Sequence, residues 1–264
     1  MPAAILPPTE AVRLRVDGAV GHLTMARPAK LNALNRVMLE ELASAAAWFD
    51  HQPAVKVVVV AGEGSSFSAG FDLGDPTWPE LGPPERSAIV GRAMAEAIGA
   101  MRAITIASIR GHCIGGGVVL ASACDLRVAS ESAVFRIPEV DLGIPLFWTG
   151  VPRLVRELGP ALTKELVLTG RAFDAAEARS TRFVNRVAPD DELESETDQL
   201  AAELGSKAGL VLETTKRQVE GAAPSVPPSD AGDEADARAL AAALADDEGR
   251  TAASAYVRRV RIKD

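Results

Sequence analysis

The sequence predicts an α/β fold in which buried parallel strands are covered by helices. Two apolar runs, Val55 to Ala61 and Ile104 to Ile109, contain β-branched residues without polar alternation. That pattern is typical of strands buried on both faces, as in a parallel sheet between helices. Helical spacing in the intervening segments supplies the covering helices.

The first elements are predicted from turn and cap residues. Asp17-Gly18 separates the segments 12–16 and 20–25, which predicts a hairpin with this pair at its turn. Asn35 is the predicted N-cap of a helix that continues to about Phe49. The strand at residue 55 follows, and the Pro- and Gly-rich segment 74–84 is expected to be a mobile loop over a site.

The rest of the chain is predicted to alternate between helices and strands. The predicted elements are a helix over 85–101, the strand over 104–109, a short buried helix over 116–123, strands over 126–129 and 133–136, helices over 151–158, 160–169 and 174–181, and a strand over 184–187. From Asp190 onward the chain is alanine-rich, acidic and helical, with breaks near Pro224 and Pro227. These last helices have few large apolar residues, so we expect them to dock on their own sheet or on a neighbouring subunit.

Composition limits the class of protein. The 264 residues carry a formal net charge of −8, which disfavours a nucleic-acid surface because phosphate binding needs clustered Lys and Arg. The amino-terminal segment lacks the basic start and apolar region of a signal peptide, and no apolar stretch has the length of a membrane span. Cys113 and Cys124 lie in apolar sequence and are interpreted as core residues in a reducing compartment. We therefore expect a cytoplasmic protein with no membrane partner.

Two glycine-rich turns follow the two buried runs and are the most informative feature of the sequence. The first covers residues 62–73 and the second covers residues 111–117. Ligands of parallel sheets bind beyond the carboxyl ends of the strands, where these turns are expected to lie. Glycine lets the backbone approach a ligand and turn its N–H groups toward one point. The turns therefore predict two N–H donors directed at a single oxygen that gains negative charge, which is an oxyanion hole.

Other kinds of site match the sequence poorly. The segment 62–67 lacks the third glycine of a dinucleotide motif, and a phosphate-binding G-x-x-x-x-G-K-[ST] loop is absent from the sequence. The three histidines are far apart and no cysteine pair has zinc spacing, so we expect no metal and no redox cofactor. A triad of Ser66 or Ser68 with His112 and Asp125 is a remote alternative, because the chain has no G-x-S-x-G elbow.

Three motifs in this order resemble the crotonase family, the enoyl-CoA hydratases and isomerases. They are Phe67-Ser68-Ala69-Gly70-Phe71-Asp72-Leu73, Gly111-x-x-Ile114-Gly115-Gly116-Gly117 and Pro138-Glu139-Val140-x-Leu142-Gly143. The likeness extends from Arg27-Pro28-x-x-x-Asn32-Ala33-Leu34-Asn35 to Val184-Asn185-Arg186-Val187. It implies a crotonase-like spiral of strand–strand–helix units over residues 1–190, and a helical region over 191–264 that serves as lid and trimerisation element.

The resemblance also implies the chemistry. The substrate would be a coenzyme A thioester, the coenzyme would enter only as part of that substrate, and the assembly would be a trimer or a hexamer. By motif position, the backbone N–H groups of Phe71 and Gly116 would bind the thioester oxygen. Glu139 aligns with a catalytic glutamate of the family, and apolar neighbours would raise its pKa and suit it to proton transfer.

One departure from the family pattern concerns the number of carboxylates. Hydratases carry a second glutamate where this chain has Val119. Water addition uses two carboxylates, whereas one is enough to move a proton through an enolate, so the sequence favours double-bond isomerisation. Hydration as in fatty acid β-oxidation is the alternative within the family. Asp141 could act as a second acid if its turn bends inward, although a surface position is favoured.

Substrate contacts are implied by motif position. Arg27 and Lys30 lie where the family meets the CoA phosphates, Lys207 and Lys263 are weaker candidates, and Asp72 is expected to fix its own turn. The other residues assigned to substrate binding belong to the glycine turns or to the acyl pocket: Ala69, Gly70, Leu73, Gly115, Val119, Phe147 and Trp148. The bulky rings of Phe147 and Trp148 would narrow that pocket. A protein that binds acyl-CoA without turnover is the alternative from another class, because the second glutamate is missing.

Overall fold

A mostly parallel sheet of six strands forms the centre of the molecule in the computed structural model, which describes residues 9–77, 85–223 and 229–261. The strand order is β1-β2-β3-β4-β6-β9, and β1 pairs antiparallel with β2 while the remaining pairs are parallel. The six strands are β1 Val12–Asp17, β2 Val20–Met25, β3 Val57–Gly62, β4 Ile104–Ile109, β6 Leu126–Ser130 and β9 Arg186–Ala188. The predicted α/β class and the hairpin at Asp17-Gly18 are confirmed.

A second sheet of three short strands was not predicted in full. It consists of β5 His112–Ile114, β7 Val134–Arg136 and β8 Ala172–Asp174, in the order β5-β7-β8. The segment 133–136 was a predicted strand, but β5 lies inside the second glycine turn and β8 inside a predicted loop. Three residues are too few to show a period in sequence, so these strands are fixed by their partners rather than by a local pattern.

The helices cover both faces of the large sheet. They are α1 Arg36–Asp50, α2 Glu85–Ala100, α3 Gly116–Ala123, α4 Gly150–Thr169, α5 Ala175–Ser180, α6 Leu193–Gly205, α7 Gly209–Ala222, α8 Ser229–Ala245 and α9 Asp247–Arg261. The predicted N-cap at Asn35 is confirmed, since its side-chain oxygen accepts a hydrogen bond from the N–H of Met38. The two helices predicted over 151–158 and 160–169 form α4, which is interrupted at Gly159 with φ 75° and followed by Pro160.

The core lies on both sides of the central strands. All six residues of β4 and all eight residues of α3 are buried, as the unbroken apolar runs predicted. On one face, α1, α2 and α3 supply the main apolar cluster. On the other face, Leu193 and Leu200 of α6 pack against Val57, Ile106 and Val128 of the sheet.

The carboxyl-terminal helices differ in how they dock. α6 packs on the sheet, whereas α7 has no buried residue. α8 packs against α2, and α9 packs against the short 3-10 turn Glu139–Leu142. The predicted breaks at Pro224 and Pro227 and most of the predicted loop 74–84 lie outside the described residues. Within the described ranges, no helix combines the length and the apolar character that a membrane crossing requires.

Candidate active site

The two glycine turns meet at the carboxyl ends of the strands. Ser68 forms a parallel bridge with Cys113, and Phe71 forms one with Leu34. Leu34 donates its N–H to the carbonyl of Gly70 at 2.7 Å and accepts from the N–H of Asp72 at 3.1 Å. Leu34 therefore bonds to the two neighbours of Phe71, while the N–H and carbonyl of Phe71 itself point to the side of its strand that faces away from Leu34.

Gly116 supplies a second N–H beside the first turn. It is the first residue of α3, so its N–H has no partner within that helix and carries the positive end of the helix dipole. Gly70 has φ 88°, and a Cβ on it would lie 2.6 Å from the carbonyl oxygen of Ile114 and 3.6 Å from the nitrogen of Gly116. The backbones of the two turns thus approach to a distance that only glycine permits.

A cavity of about 560 Å³ opens at this junction, and we call it the glutamate cavity. Most of its lining is apolar, and among the described residues that line it only Glu139 carries a carboxyl group. Ten of the thirteen residues assigned from the sequence line it: Ala69, Gly70, Phe71, Leu73, Gly115, Gly116, Val119, Glu139, Phe147 and Trp148. The other three, Arg27, Lys30 and Asp72, lie outside its lining.

Glu139 occupies the first position of the 3-10 turn that follows β7. It is only 8% exposed, its Oε2 has no hydrogen-bond partner among the described residues, and burial raises its pKa to about 7. Gly115, with φ 49°, lies against the carboxyl group, and a Cβ there would overlap Oε1. A buried carboxyl group with a pKa near neutrality can give and take a proton at physiological pH.

The position of the missing second glutamate is filled by an apolar side chain. Val119 is fully buried in α3 and lines the cavity. Asp141, the possible substitute acid, is not among the lining residues; its carboxylate accepts from Nη2 of Arg136 at 2.6 Å. The inward turn that would make Asp141 a second acid does not occur, and this carboxylate belongs to a partly exposed ion pair.

Trp148 forms one wall of the cavity and contacts the second turn. Its ring fills the space above Gly116 and Gly91, since a Cβ on either glycine would overlap the indole. Trp148 and Thr149 have left-handed backbone angles, φ 59° and 55°, which are unfavourable for non-glycine residues. The hydroxyl of Thr149 donates to its neighbour's carbonyl and accepts from Nε of Arg153 at 3.3 Å, which holds this conformation.

The described members of the predicted cations, Arg27, Lys30 and Lys207, are not among the residues that line the glutamate cavity. Arg27 donates to the carboxylate of Asp72 at 2.9 Å and to the carbonyl of Ala33, and Asp72 also accepts from the N–H of Gly74. Asp72 thus holds its own turn. Lys30 is exposed at the end of the short 3-10 turn Pro28–Lys30, and Lys207 is exposed after α6. Lys263 lies outside the described residues.

Sequence reasoning missed one wall of the cavity. Leu240 and Leu244 of α8 and Ala253 and Tyr256 of α9 line it, more than a hundred residues after Glu139. The spacing of four between Leu240 and Leu244 is a helical-face signal, but both residues lie in a segment dominated by alanine and charge. The few apolar residues on one face of α8 and α9 therefore cover the cavity.

The alternative catalytic groups are not assembled. The hydroxyl of Ser68 donates to the carbonyl of Asn32, and Asp125 pairs with Lys216 at 2.8 Å, so Ser68 and Asp125 do not take part in a Ser-His-Asp triad. Cys113 and Cys124 are buried, and burial raises the pKa of both thiols, that of Cys124 to about 12. Across residues 9–77, 85–223 and 229–261, no three metal-ligating side chains come together.

A larger cavity of about 1010 Å³ lies at the amino ends of β4 and β6, and we call it the arginine cavity. Its cations include Arg127, Arg153, Arg156, Arg182 and Lys216, and its carboxylates are Glu96, Asp125, Glu157 and Glu220. Each of these four carboxylates has an ion-pair partner: Arg92, Lys216, Arg127 and Arg156 respectively. Among the described residues that line this cavity, every carboxylate is therefore paired with a cation.

The family of the chain follows from comparison with known proteins. The family model described as enoyl-CoA hydratase/isomerase matches residues 15–263. The chain belongs to this family. A probable enoyl-CoA hydratase of Mycobacterium bovis is 34% identical over 213 residues, which are 80% of this chain and 81% of the relative. A peroxisomal Δ(3,5)-Δ(2,4)-dienoyl-CoA isomerase of Arabidopsis thaliana is 35% identical over 220 residues, 78% of this chain and 79% of the relative.

Solved structures of this enoyl-CoA hydratase/isomerase family share the fold. An enoyl-CoA hydratase from Mycobacterium avium subsp. paratuberculosis superposes with a TM-score of 0.84 at 26% identity, covering 94% of this chain and all of that one. A putative enoyl-CoA hydratase from Thermobifida fusca, in complex with acetoacetyl-CoA, gives 0.73 at 32% identity, covering 89% and 94%. The predicted crotonase-like fold and the assignment to a family of lyases and isomerases are confirmed.

Proposed function

We propose that the protein isomerises the double bond of an enoyl-CoA thioester through an enolate, with Glu139 as the single acid and base. The observation that carries the proposal is the glutamate cavity itself. Among the described residues that line it, only Glu139 carries a carboxyl group; this residue is buried, and its Oε2 has no hydrogen-bond partner there. Two backbone N–H groups, of Phe71 and Gly116, lie at the same junction. This set of groups supports proton transfer next to a carbonyl and leaves the water-activating position occupied by Val119.

The oxyanion hole is the first part of the mechanism. The thioester oxygen of the substrate would accept hydrogen bonds from the N–H groups of Phe71 and Gly116. Removing a proton from the carbon next to the carbonyl moves negative charge onto this oxygen, where the two donors and the amino end of α3 stabilise it. In other enzymes the loss of one such donor slows the reaction about 10²- to 10³-fold.

The proton transfer is the second part. Glu139, as a carboxylate, takes the α-proton of a 3-enoyl-CoA, and the electron pair of that C–H bond delocalises through the carbonyl and the adjacent double bond. The same carboxyl group then returns the proton to the γ-carbon, which yields a 2-enoyl-CoA with no other reactant consumed. A pKa of about 7 makes both directions of transfer feasible near neutral pH.

Hydration is the second candidate function, and the names of several relatives favour it. The proteins of Mycobacterium bovis and Mycobacterium avium subsp. paratuberculosis are both described as enoyl-CoA hydratases. Against hydration stands the chemistry of the pocket, because a valine cannot orient or deprotonate water. Val119 lines the cavity, so an apolar side chain occupies the position where a hydratase would hold the water.

The cavity supports an apolar acyl group. Leu142, Ile144, Leu146 and Phe147 line the side near Glu139, and Leu240 and Leu244 line the side of α8. Arg27 and Lys30 would meet the CoA phosphates outside the cavity.

We also propose that copies of the chain assemble as trimers or hexamers, since α7 exposes Leu210, Val211 and Val219.

The experiment that tests the proposal uses a 3-enoyl-CoA and, separately, a 2-enoyl-CoA in deuterated water. Mass spectrometry follows deuterium uptake, added water and double-bond position for the wild type, for Glu139→Gln and for Glu131→Gln, an exposed control. We expect isomerisation and α-exchange that Glu139→Gln abolishes and Glu131→Gln leaves unchanged. Efficient hydration by the wild type would contradict the argument from Val119, and binding without any reaction would favour a non-catalytic acyl-CoA-binding protein.

A further inference from the structure

One face of α9 connects the glutamate cavity with the turn that carries Glu139. Gly249, Ala253 and Tyr256 are separated by four and three residues, which places them on the same side of an α-helix. Ala253 and Tyr256 line the cavity, and Gly249 lies one turn closer to the amino end of the helix. The helix therefore contacts the site with a continuous face, of which Gly249 is the first residue.

Gly249 makes a backbone-to-backbone contact with Gly143. Gly143 ends the 3-10 turn with φ 68°, and its N–H donates to the carbonyl oxygens of Glu139 and Val140. A Cβ on Gly143 would overlap the backbone of Gly249, and a Cβ on Gly249 would lie 2.8 Å from the carbonyl oxygen of Ala243 and 3.1 Å from that of Gly143. Gly143 has no room for a methyl group at this separation, and a methyl group on Gly249 would force a shift of the backbone near the end of α8 and press on the carbonyl of Gly143.

Hydrogen bonds hold both sides of this contact, the start of α9 and the 3-10 turn, in place. Asp246 accepts the N–H of Gly249 at 2.8 Å and so caps the amino end of α9. On the opposite side of the turn, Arg136 donates to Asp141 at 2.6 Å and to the carbonyl of Gly170 at 2.7 Å. The turn is thus held between an arginine and the helix, and Glu139 is its first residue.

We propose that Gly249 is a positioning residue for Glu139: it lets α9 seat directly on the 3-10 turn and close the cavity over the carboxyl group. For the role of Glu139 as the base, this inference rests on the function proposed above. Its consequence is the exclusion of water from Glu139, which is 8% exposed, because α9 packs on the turn that carries this residue and lines the cavity beside it. Moving α9 away would rehydrate the group and return its pKa toward the ordinary value of 4.5.

The charged groups near Glu139 do not provide the same effect. Arg136 lowers the pKa of Glu139 and so opposes the burial, while Asp141 on the same turn pairs with Arg136. Among the described residues, the charged and titratable groups of the two covering helices include Asp236 of α8, which accepts from the N–H of Thr149. At and after the start of α9 they include Asp246, Asp247, Glu248, Arg250 and Tyr256. Desolvation is the largest cause of the raised pKa, which is the effect that the seating of α9 controls.

The test compares Gly249→Ala and the larger Gly249→Leu with Gly221→Ala. Gly221 lies on α7, and a Cβ there would meet nothing within 4 Å, so it controls for the same chemical change in a helix. Each protein is prepared as the full chain with and without Glu139→Gln, and urea unfolding is followed from about pH 4 to about pH 9. Because the pKa of Glu139 is higher in the folded state than in the unfolded state, its contribution to the free energy of unfolding is complete below pH 4.5 and is lost as the pH rises to about 7.

The expected result is a displacement of the pH at which this loss is complete. In the wild type and in Gly221→Ala the stability difference between the proteins with and without Glu139→Gln levels off near pH 7. In Gly249→Ala it levels off about one pH unit lower, and in Gly249→Leu lower still. This measurement needs no catalysis, so it remains informative if the wild type shows no isomerisation and the proposed function fails.

A second measurement separates the possible outcomes. The chain has a single tyrosine, so nitration by tetranitromethane followed by mass spectrometry reports the accessibility of Tyr256 alone. Faster nitration together with the lower levelling pH supports the proposal. Faster nitration with an unchanged levelling pH would show that α9 does not shield Glu139, and unchanged values of both would show that Gly249 does not seat the helix; either result overturns it.

Discussion

The two cavities of this molecule differ in how their charges are balanced. The arginine cavity is nearly twice as large and contains four carboxylates, yet each of them has a cationic partner within 2.8 Å. Among the described residues that line the glutamate cavity, only Glu139 carries a carboxyl group; most of the lining is apolar, and Oε2 of Glu139 has no hydrogen-bond partner there. An ion-pair partner balances the charge of each carboxylate in the arginine cavity, whereas burial raises the pKa of Glu139 to about 7. We therefore expect proton transfer in the glutamate cavity rather than in the arginine cavity.

The largest expected effect concerns the unpaired carboxyl group. Glu139→Gln removes the proposed base and keeps the shape of the side chain, so proton exchange at the α-carbon should fall by about 10²- to 10⁴-fold. Deuterium incorporation into an acyl-CoA, measured by mass spectrometry, checks this. Wild-type rates in the variant would mean that another group acts as the base.

A matched substitution in the arginine cavity should affect stability instead. Glu157→Gln takes the carboxylate from Arg127, whose side chain is 3% exposed, and breaking a buried pair costs about 3–5 kcal/mol. Because Glu157 is partly exposed and glutamine still accepts a hydrogen bond, we expect a loss of about 2–3 kcal/mol in urea unfolding. The folded variant should exchange protons at the wild-type rate, and a large loss of exchange would erase the contrast between the two cavities.

The third prediction concerns pH. If the carboxylate of Glu139 is the active form and its pKa is about 7, kcat/KM should fall about tenfold per pH unit below pH 7 and level off above it. Glu157→Gln should keep this profile. A profile that is already level at pH 5 would show that Glu139 is solvated in solution.

The smallest expected effect lies at the rim of the glutamate cavity. Lys30 is exposed, so its loss in Lys30→Ala should weaken contact with CoA phosphates by at most about 1 kcal/mol, a two- to fivefold rise in KM with kcat unchanged. Lys164→Ala, an exposed lysine of α4, is the control and should change neither constant. An equal change in both variants would remove Lys30 from the binding surface.

Local signals carried much of the prediction. The buried runs became β3 and β4, the Asp17-Gly18 pair became a hairpin turn, and Asn35 became an N-cap, because each pattern describes interactions within a few residues. The glycine turns could be located for the same reason. Their meeting at Gly70 and Gly116 was expected from the ends of parallel strands, which lie side by side whatever separates them in sequence.

Other features depend on contacts that no local pattern encodes. β5 and β8 are three residues long and are strands only because β7 lies between them. Tyr256 and Leu244 reach the cavity through the docking of α8 and α9, and the alanine-rich sequence of these helices does not indicate which face is covered. The left-handed angles of Trp148 and Thr149 likewise follow from the hydrogen bonds around them rather than from their residue types.

The position of Trp148 makes its intrinsic fluorescence a probe of ligand binding. Its indole contacts the backbone of Gly116 and lies 6.2 Å, centroid to centroid, from the ring of Phe71, so it borders both N–H donors. A thioester bound there changes the polarity around the indole, to which tryptophan emission is sensitive. The chain contains three tryptophans, and replacing Trp48 and Trp78 by phenylalanine leaves this one as the sole emitter. Occupancy of the proposed oxyanion hole can then be followed by fluorescence with unlabelled, unreactive thioesters, independently of turnover.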